Sequence, residues 1–136
     1  MTYWRLFYHA VWTTKTRLPL IDAEWEVELY NYLWGKAAAL ECIPHAIGGM
    51  PDHIHVAVSI PPKLSVAMLI GQLKGASSHH INGNYAQGTF GWQAEYGVLS
   101  ISEQNLKTVV AYVNRQQQHH AENTIITDLE QSPEGA

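Results

Sequence analysis

The run from Met50 to Ser59, MPDHIHVAVS, places two histidines one residue apart in a short β-prone segment. Pro51-Asp52 reads as a turn, and Val56-Ala57-Val58 as the body of a strand. Side chains alternate along a strand, so His53 and His55 share one face while Ile54 points to the other. Two neighbouring imidazoles are costly in a core and natural at a metal. The strand therefore calls for a sheet with one apolar face and one face put to chemical use.

Around it the elements alternate. Tyr3 to Thr13 is aromatic and β-branched without Gly or Pro, and reads as a first strand, followed by a polar loop to Pro19. Asp22 is an N-cap candidate for a helix to about Leu40, with Trp25, Leu29, Tyr32, Leu33 and Lys36 on one stripe. Ile43 to Gly49 is a strand that Pro44 places at an edge or a start. The histidine strand follows and stops before Pro61-Pro62. Ser65 caps a second helix with Met68, Leu69, Gln72 and Leu73 inward and an end loosened by Gly75 to Ser78. Trp92 to Ile101 is a fourth strand with Gly97 as a bulge candidate, and Ser102 opens a third helix to about His119.

The order β-α-β-β-α-β-α predicts an α+β fold, a ferredoxin-like sandwich on an antiparallel sheet with an added C-terminal helix. Two helices cover one sheet face, and the face of His53 and His55 is expected to be open. Residues 1–120 are expected to form one domain, and 121–136 a loosely held polar tail.

Composition narrows the classes. A chain of 136 residues with 46% hydrophobic and 15% charged residues is a globular chain with one core. Cys42 is the single cysteine, which excludes an internal disulfide and a CxxC metal site. With no long apolar run and no basic-then-apolar leader, no membrane association and a cytoplasmic location are expected. The formal net charge of −4 argues against nonspecific coating of duplex DNA.

Two imidazoles are too few ligands for an ion, and the third helix offers more. Leu106, Val109, Val110 and Val113 define its apolar stripe. Tyr112 and Gln116, one turn apart, stand together at its shoulder. With an oxygen ligand beside imidazoles, Mg²⁺ or Mn²⁺ becomes the preferred cofactor. An ion on His53, His55 and Gln116 suits phosphoryl chemistry, with Tyr112 as the nucleophile of a covalent step. No residue in the sequence stands out as the activator of that phenol.

Tyr8-His9-Ala10-Val11-Trp12-Thr13-Thr14-Lys15, Met50-Pro51-Asp52-His53-Ile54-His55, Leu73-Lys74-Gly75 with Ser77-Ser78, and Tyr112-Val113-Asn114-Arg115-Gln116 together resemble the single-tyrosine HUH transposases. These are the small transposases of minimal bacterial insertion sequences, with relatives associated with REP palindromes. The resemblance spans Tyr3 to His119. It implies Mg²⁺- or Mn²⁺-dependent cutting and rejoining of single-stranded DNA, through a 5′-phosphotyrosine on Tyr112 and a free 3′-OH. It matches His53, His55 and Gln116 to the metal ligands. It also implies a homodimer that recognises DNA hairpins and acts at the nucleoid.

Supporting positions follow. His9 can approach the sheet centre and brace the site, or be an ordinary buried histidine. Asp52 can orient an imidazole or simply form the turn. Lys15, Arg17 and Lys74 are candidates for phosphate contacts, Lys74 first among them. Gln117 and Gln118 compete with Gln116, which helical geometry favours. His45 and the pairs His79-His80 and His119-His120 read as surface residues. Two other functions remain in play: a catalytically silent hairpin-binding module, and a metal-dependent nuclease that uses water.

Overall fold

The structure, a computed structural model, describes residues 2–116, 120 and 126–131. Strand β1 (Phe7–Thr13) is central, with β3 (His53–Ser59) on one side and β4 (Gly97–Ile101) on the other; β2 (Ile43–Met50) lies beyond β3. The four-stranded order is β2-β3-β1-β4, and all neighbours are antiparallel. Helix α1 (Glu26–Ala39) links β1 to β2, and α2 (Val66–Ile81) links β3 to β4. This is the expected ferredoxin-like α+β fold, with α3 (Leu106–Asn114) appended.

Several boundaries differ, each for a local reason. β1 begins at Phe7 rather than Tyr3, because its ladder partners Ser59 and Ile101 end the neighbouring strands there. Asp22 accepts the Glu24 amide at 2.8 Å and so fixes a turn, and α1 starts only at Glu26. Ser65 does cap α2, accepting the Met68 amide at 3.0 Å. The buried face of α2 is Leu69, Ile70, Leu73, Ser77 and Ile81, whereas Met68 and Gln72 point outward. The helix runs unbroken through Gly75 to Ser78, where Ser77 turns inward and accepts the Trp92 indole N–H at 2.9 Å.

β4 is shorter than Trp92 to Ile101. The carbonyls of Gln93, Ala94 and Glu95 accept hydrogen bonds from the Lys74 ammonium at 2.7, 3.1 and 2.8 Å, so they serve that contact rather than a ladder. Gly97 pairs with Val11 in unbroken register, so no bulge forms there; the irregularity lies in β2, between Pro44 and Ala46.

The sheet separates two environments. Ala10, Trp12, Ile54, Val56 and Val58 face α1 and α2 and form the main core with Leu29, Leu33, Leu69 and Leu73. Opposite them, His9, Val11, His53, His55 and Ala57 face α3. That second face was expected to be open, and it is covered. Ala46, Ala57, Val109, Tyr112, Val113 and Leu129 make a smaller core there. Leu129 comes from a 3₁₀ turn, Thr127–Glu130, inside the stretch expected to be a loose tail; at these residues the chain is packed down.

Two glycines permit the cover. A Cβ on Gly48 would collide with the Val113 carbonyl, and one on Gly97 with the Gln131 carbonyl. Both positions face α3 and the 3₁₀ turn, whose backbones lie closer than any side chain would permit.

Candidate active site

β3 delivers His53 and His55 to the covered face, where both are buried, at 2% and 0% exposure. Each imidazole is oriented from behind. Asp52 Oδ1 lies 2.7 Å from His53 Nδ1, and Arg17 Nε in turn donates to Asp52 Oδ2 at 3.2 Å. His9, on β1, places Nε2 2.8 Å from His55 Nδ1. With both Nδ1 atoms engaged, both Nε2 atoms point into one space, the arrangement in which a supporting acceptor fixes the tautomer of a metal ligand.

α3 brings the other groups. Val109, Tyr112 and Val113 are buried at the i, i+3, i+4 spacing, so the phenol belongs to the inward face itself, and Gln116, just beyond the end of α3, is buried with it. Arg115 leaves helical geometry (φ −117, ψ 30) and closes α3; Gln116 and His120 are again helical, and the expected end near His119 lies outside the described residues. Gln116 sets Oε1 3.4 Å from His53 Nε2. The Tyr112 ring lies edge-on to His55, with centroids 5.9 Å apart, so phenol and histidines meet within one chain.

The residue that joins these groups is Glu130, buried on the 3₁₀ turn. Its Oε1 stands 3.4 Å from His53 Nε2 and 3.2 Å from His55 Nε2. Its Oε2 accepts from the Tyr112 hydroxyl, and from Gln116 Nε2 at 3.4 Å. The Ile126 amide donates to the same phenol oxygen at 3.0 Å. His120 adds a ring nitrogen 3.6 Å from Glu130 Oε1 that makes no hydrogen bond among the described residues.

Sequence reasoning missed Glu130 altogether and read His120 as a surface residue. The available signal was weak: Ile125, Ile126 and Leu129 are the only large apolar residues after Val113, and such residues anchor a segment.

The electrostatics follow from these contacts. Burial opposes the charge on His53, but hydrogen bonds to Asp52 and Glu130 outweigh it and raise its pKa to about 9. Burial lowers His55, and Glu130 only partly offsets that. Burial also pushes His9 down to about 3, aided by His55. Burial would raise Glu130, yet hydrogen bonds from His53 and His55 hold it well below the carboxylate range. Burial, then the Glu130 contact, lifts Tyr112 to about 12. These contacts favour an imidazolium–carboxylate pair of His53 and Glu130 beside neutral His55 and protonated Tyr112.

The donor set also suits a divalent ion. Oxygen and imidazole ligands at metal-bond lengths of ~2.1 Å stand roughly 3 Å apart around a six-coordinate ion. The observed 3.2–3.4 Å separations between His53, His55, Gln116 and Glu130 donor atoms are near that spacing. Among the described residues, His53, His120 and Glu130 place ligand atoms within 4.8 Å of one another.

The remaining sequence candidates lie farther out. Lys15 is exposed, Arg17 is tied to Asp52, and Lys74 is engaged by the carbonyls of residues 93–95. His80 stacks on Tyr32, and His45 Nε2 lies 2.7 Å from Ser59 Oγ. Gln117, Gln118 and His119 lie outside the described residues.

Residues 2–116 match a family model described as IS200-like transposase. The chain belongs to this family. Among relatives of this IS200-like chain, the ISDra2 transposase TnpA of Deinococcus radiodurans is 30% identical over 121 residues, 83% of this chain and 85% of that one. The IS200 transposase of Salmonella typhimurium is 35% identical over 82 residues, 57% of this chain and 51% of its own. A crystal structure of a D. radiodurans chain described as a transposase superposes with a TM-score of 0.69 at 25% identity, over 85% of this chain and 95% of that one. A REP-associated tyrosine transposase bound to a REP hairpin shares the fold, with a TM-score of 0.63 at 15% identity over 88% and 74% of the two chains. Among the described residues no helix is long and apolar enough to cross a membrane.

Proposed function

We propose that this transposase cuts and rejoins single-stranded DNA through Tyr112, at a divalent-ion site formed by His53, His55 and Gln116. The observation that carries the reading is the convergence of the Tyr112 phenol with both inward-facing Nε2 atoms in one buried space.

The Tyr112 oxygen attacks the scissile phosphorus, and a Tyr–O–P bond forms as the P–O3′ bond breaks. The phenol loses its proton and the departing 3′ oxygen gains one, leaving a 5′-phosphotyrosine and a 3′-OH. Attack by another 3′-OH reverses the step and joins strands. One phosphodiester is exchanged for another, so no nucleotide cofactor is required. Mg²⁺ or Mn²⁺, when bound, supplies charge neutralisation at the scissile phosphate.

Asp52 and His9 keep the two imidazoles aimed, and the cover of α3 and the 3₁₀ turn keeps water from the phosphotyrosine. The substrate in this reading is single-stranded DNA ending in hairpins, a REP hairpin being what the structural neighbour is bound to, and the acting species is a homodimer. Lys15, exposed after β1, is the basic residue offered to its phosphates, with Arg17 beside it held on Asp52.

The test is incubation of a labelled hairpin-ended single strand with protein and Mn²⁺, followed by denaturing electrophoresis. A covalent adduct is expected from the native chain and from neither Tyr112→Phe nor His53→Ala. Cutting without an adduct would point to a water-using nuclease, and hairpin binding without cutting to a silent module.

A further inference from the structure

Glu130 is the charged group at the centre of the site, and neither the motifs nor the proposed reaction assigns it a role. Its two oxygens divide the labour. Oε1 faces His53 Nε2, His55 Nε2 and His120 Nε2, at 3.4, 3.2 and 3.6 Å. Oε2 faces the Tyr112 hydroxyl and the Gln116 carboxamide. An anionic oxygen facing three imidazoles, all three through Nε2, has the surroundings of a metal ligand. Leu129, buried beside it among Val109, Val113 and Ala57, anchors the turn that presents it. The absence of a side chain at Gly97 lets the Gln131 carbonyl lie against β4 immediately after it.

We propose that Glu130 is a fourth protein ligand of the divalent ion, delivered by the C-terminal 3₁₀ turn, and that its second oxygen sets the position of Tyr112. This rests on the metal site proposed above. Its physical sense lies in charge: His53, His55 and Gln116 are neutral as ligands, and a carboxylate adds the anionic donor that hard divalent cations favour. The rival reading is that Glu130 is only the counter-ion of protonated His53 and leaves when metal enters.

The two readings give opposite metal affinities. Mn²⁺ is titrated calorimetrically into the full chain without DNA, at low and at high NaCl, with His53→Ala as reference. Glu130→Gln and Glu130→Ala are expected to bind Mn²⁺ about tenfold more weakly or worse. The loss should persist at high salt, because direct ligation is screened far less than distant attraction. Unchanged or tighter binding by the Glu130 variants, with binding lost in His53→Ala, would overturn the fourth ligand and leave the metal site standing. Unchanged binding in His53→Ala would overturn both. A readout on the native chain covers the case of variants that do not fold. Mn²⁺ should shift a carboxylate stretching band in the infrared difference spectrum, and a spectrum without such a shift overturns the proposal.

Discussion

His9 Nε2 stands 2.8 Å behind His55 Nδ1, two buried imidazoles in line with the space that Glu130, Gln116 and Tyr112 close. Because burial keeps His9 neutral, its Nε2 can accept from His55 Nδ1–H once His55 Nε2 turns its lone pair to an ion instead of donating to Glu130. His9→Leu should therefore leave a buried imidazole nitrogen unpaired, at a cost of about 1–3 kcal/mol in urea unfolding. It should also weaken Mn²⁺ binding about tenfold. His9→Gln, whose carboxamide oxygen can take the place of Nε2, should recover most of the metal affinity.

Asp52 supports the other imidazole. Asp52→Asn should lower Mn²⁺ affinity by about 10- to 100-fold, because the amide is a poorer acceptor for His53 Nδ1–H and also releases Arg17. Calorimetric titration measures the first effect. Equal affinity in the variant would show that the turn, not the carboxylate, is what position 52 supplies.

Gly48 tests whether the cover on the histidine face must lie this close. Gly48→Ala puts a methyl group into the Val113 carbonyl and should push α3 off β2, costing about 1–3 kcal/mol of stability. Because Tyr112 and Gln116 ride on that segment, adduct formation should fall further than the stability loss alone explains. An unchanged adduct yield at full folding would show that α3 tolerates the shift.

Lys74 was the first choice among the basic residues for a phosphate contact, and the structure places its ammonium on the carbonyls of residues 93–95, within cation–π range of Trp12 and Tyr96. Lys74→Met should cost about 2 kcal/mol in thermal or urea unfolding. It should leave the salt dependence of DNA binding unaltered, since a lost phosphate contact would reduce that slope by about one.

These positions also show what was legible in the sequence. The strand of His53 and His55 was readable because period-two alternation fixes a shared face without knowledge of anything else. Tyr112 and Gln116 were readable as a pair for the same reason on a helix. The closure of that face was not, because it depends on α3 lying against Gly48 and on a turn near the end of the chain lying beside Gly97, contacts across 65 and 34 residues of sequence. Glu130 was hidden for a further reason. In a polar acidic stretch one glutamate looks like the next, and only the tertiary approach of Leu129 to Val109 and Val113 singles it out. Lys74 was a lone basic residue that suggested a phosphate, and its ammonium sits on carbonyls, a contact no local pattern announces.

The central claim is that Tyr112 becomes covalently joined to DNA. Trypsin cuts after Lys107 and Arg115, so Tyr112 falls in the peptide Thr108 to Arg115, where Thr108 is the only other hydroxyl. The Mn²⁺-dependent adduct, digested with nuclease and trypsin and fragmented by mass spectrometry, should carry its nucleotide mass on Tyr112 of that peptide. A nucleotide on any other residue, or full strand cleavage with that peptide unmodified, would contradict the account.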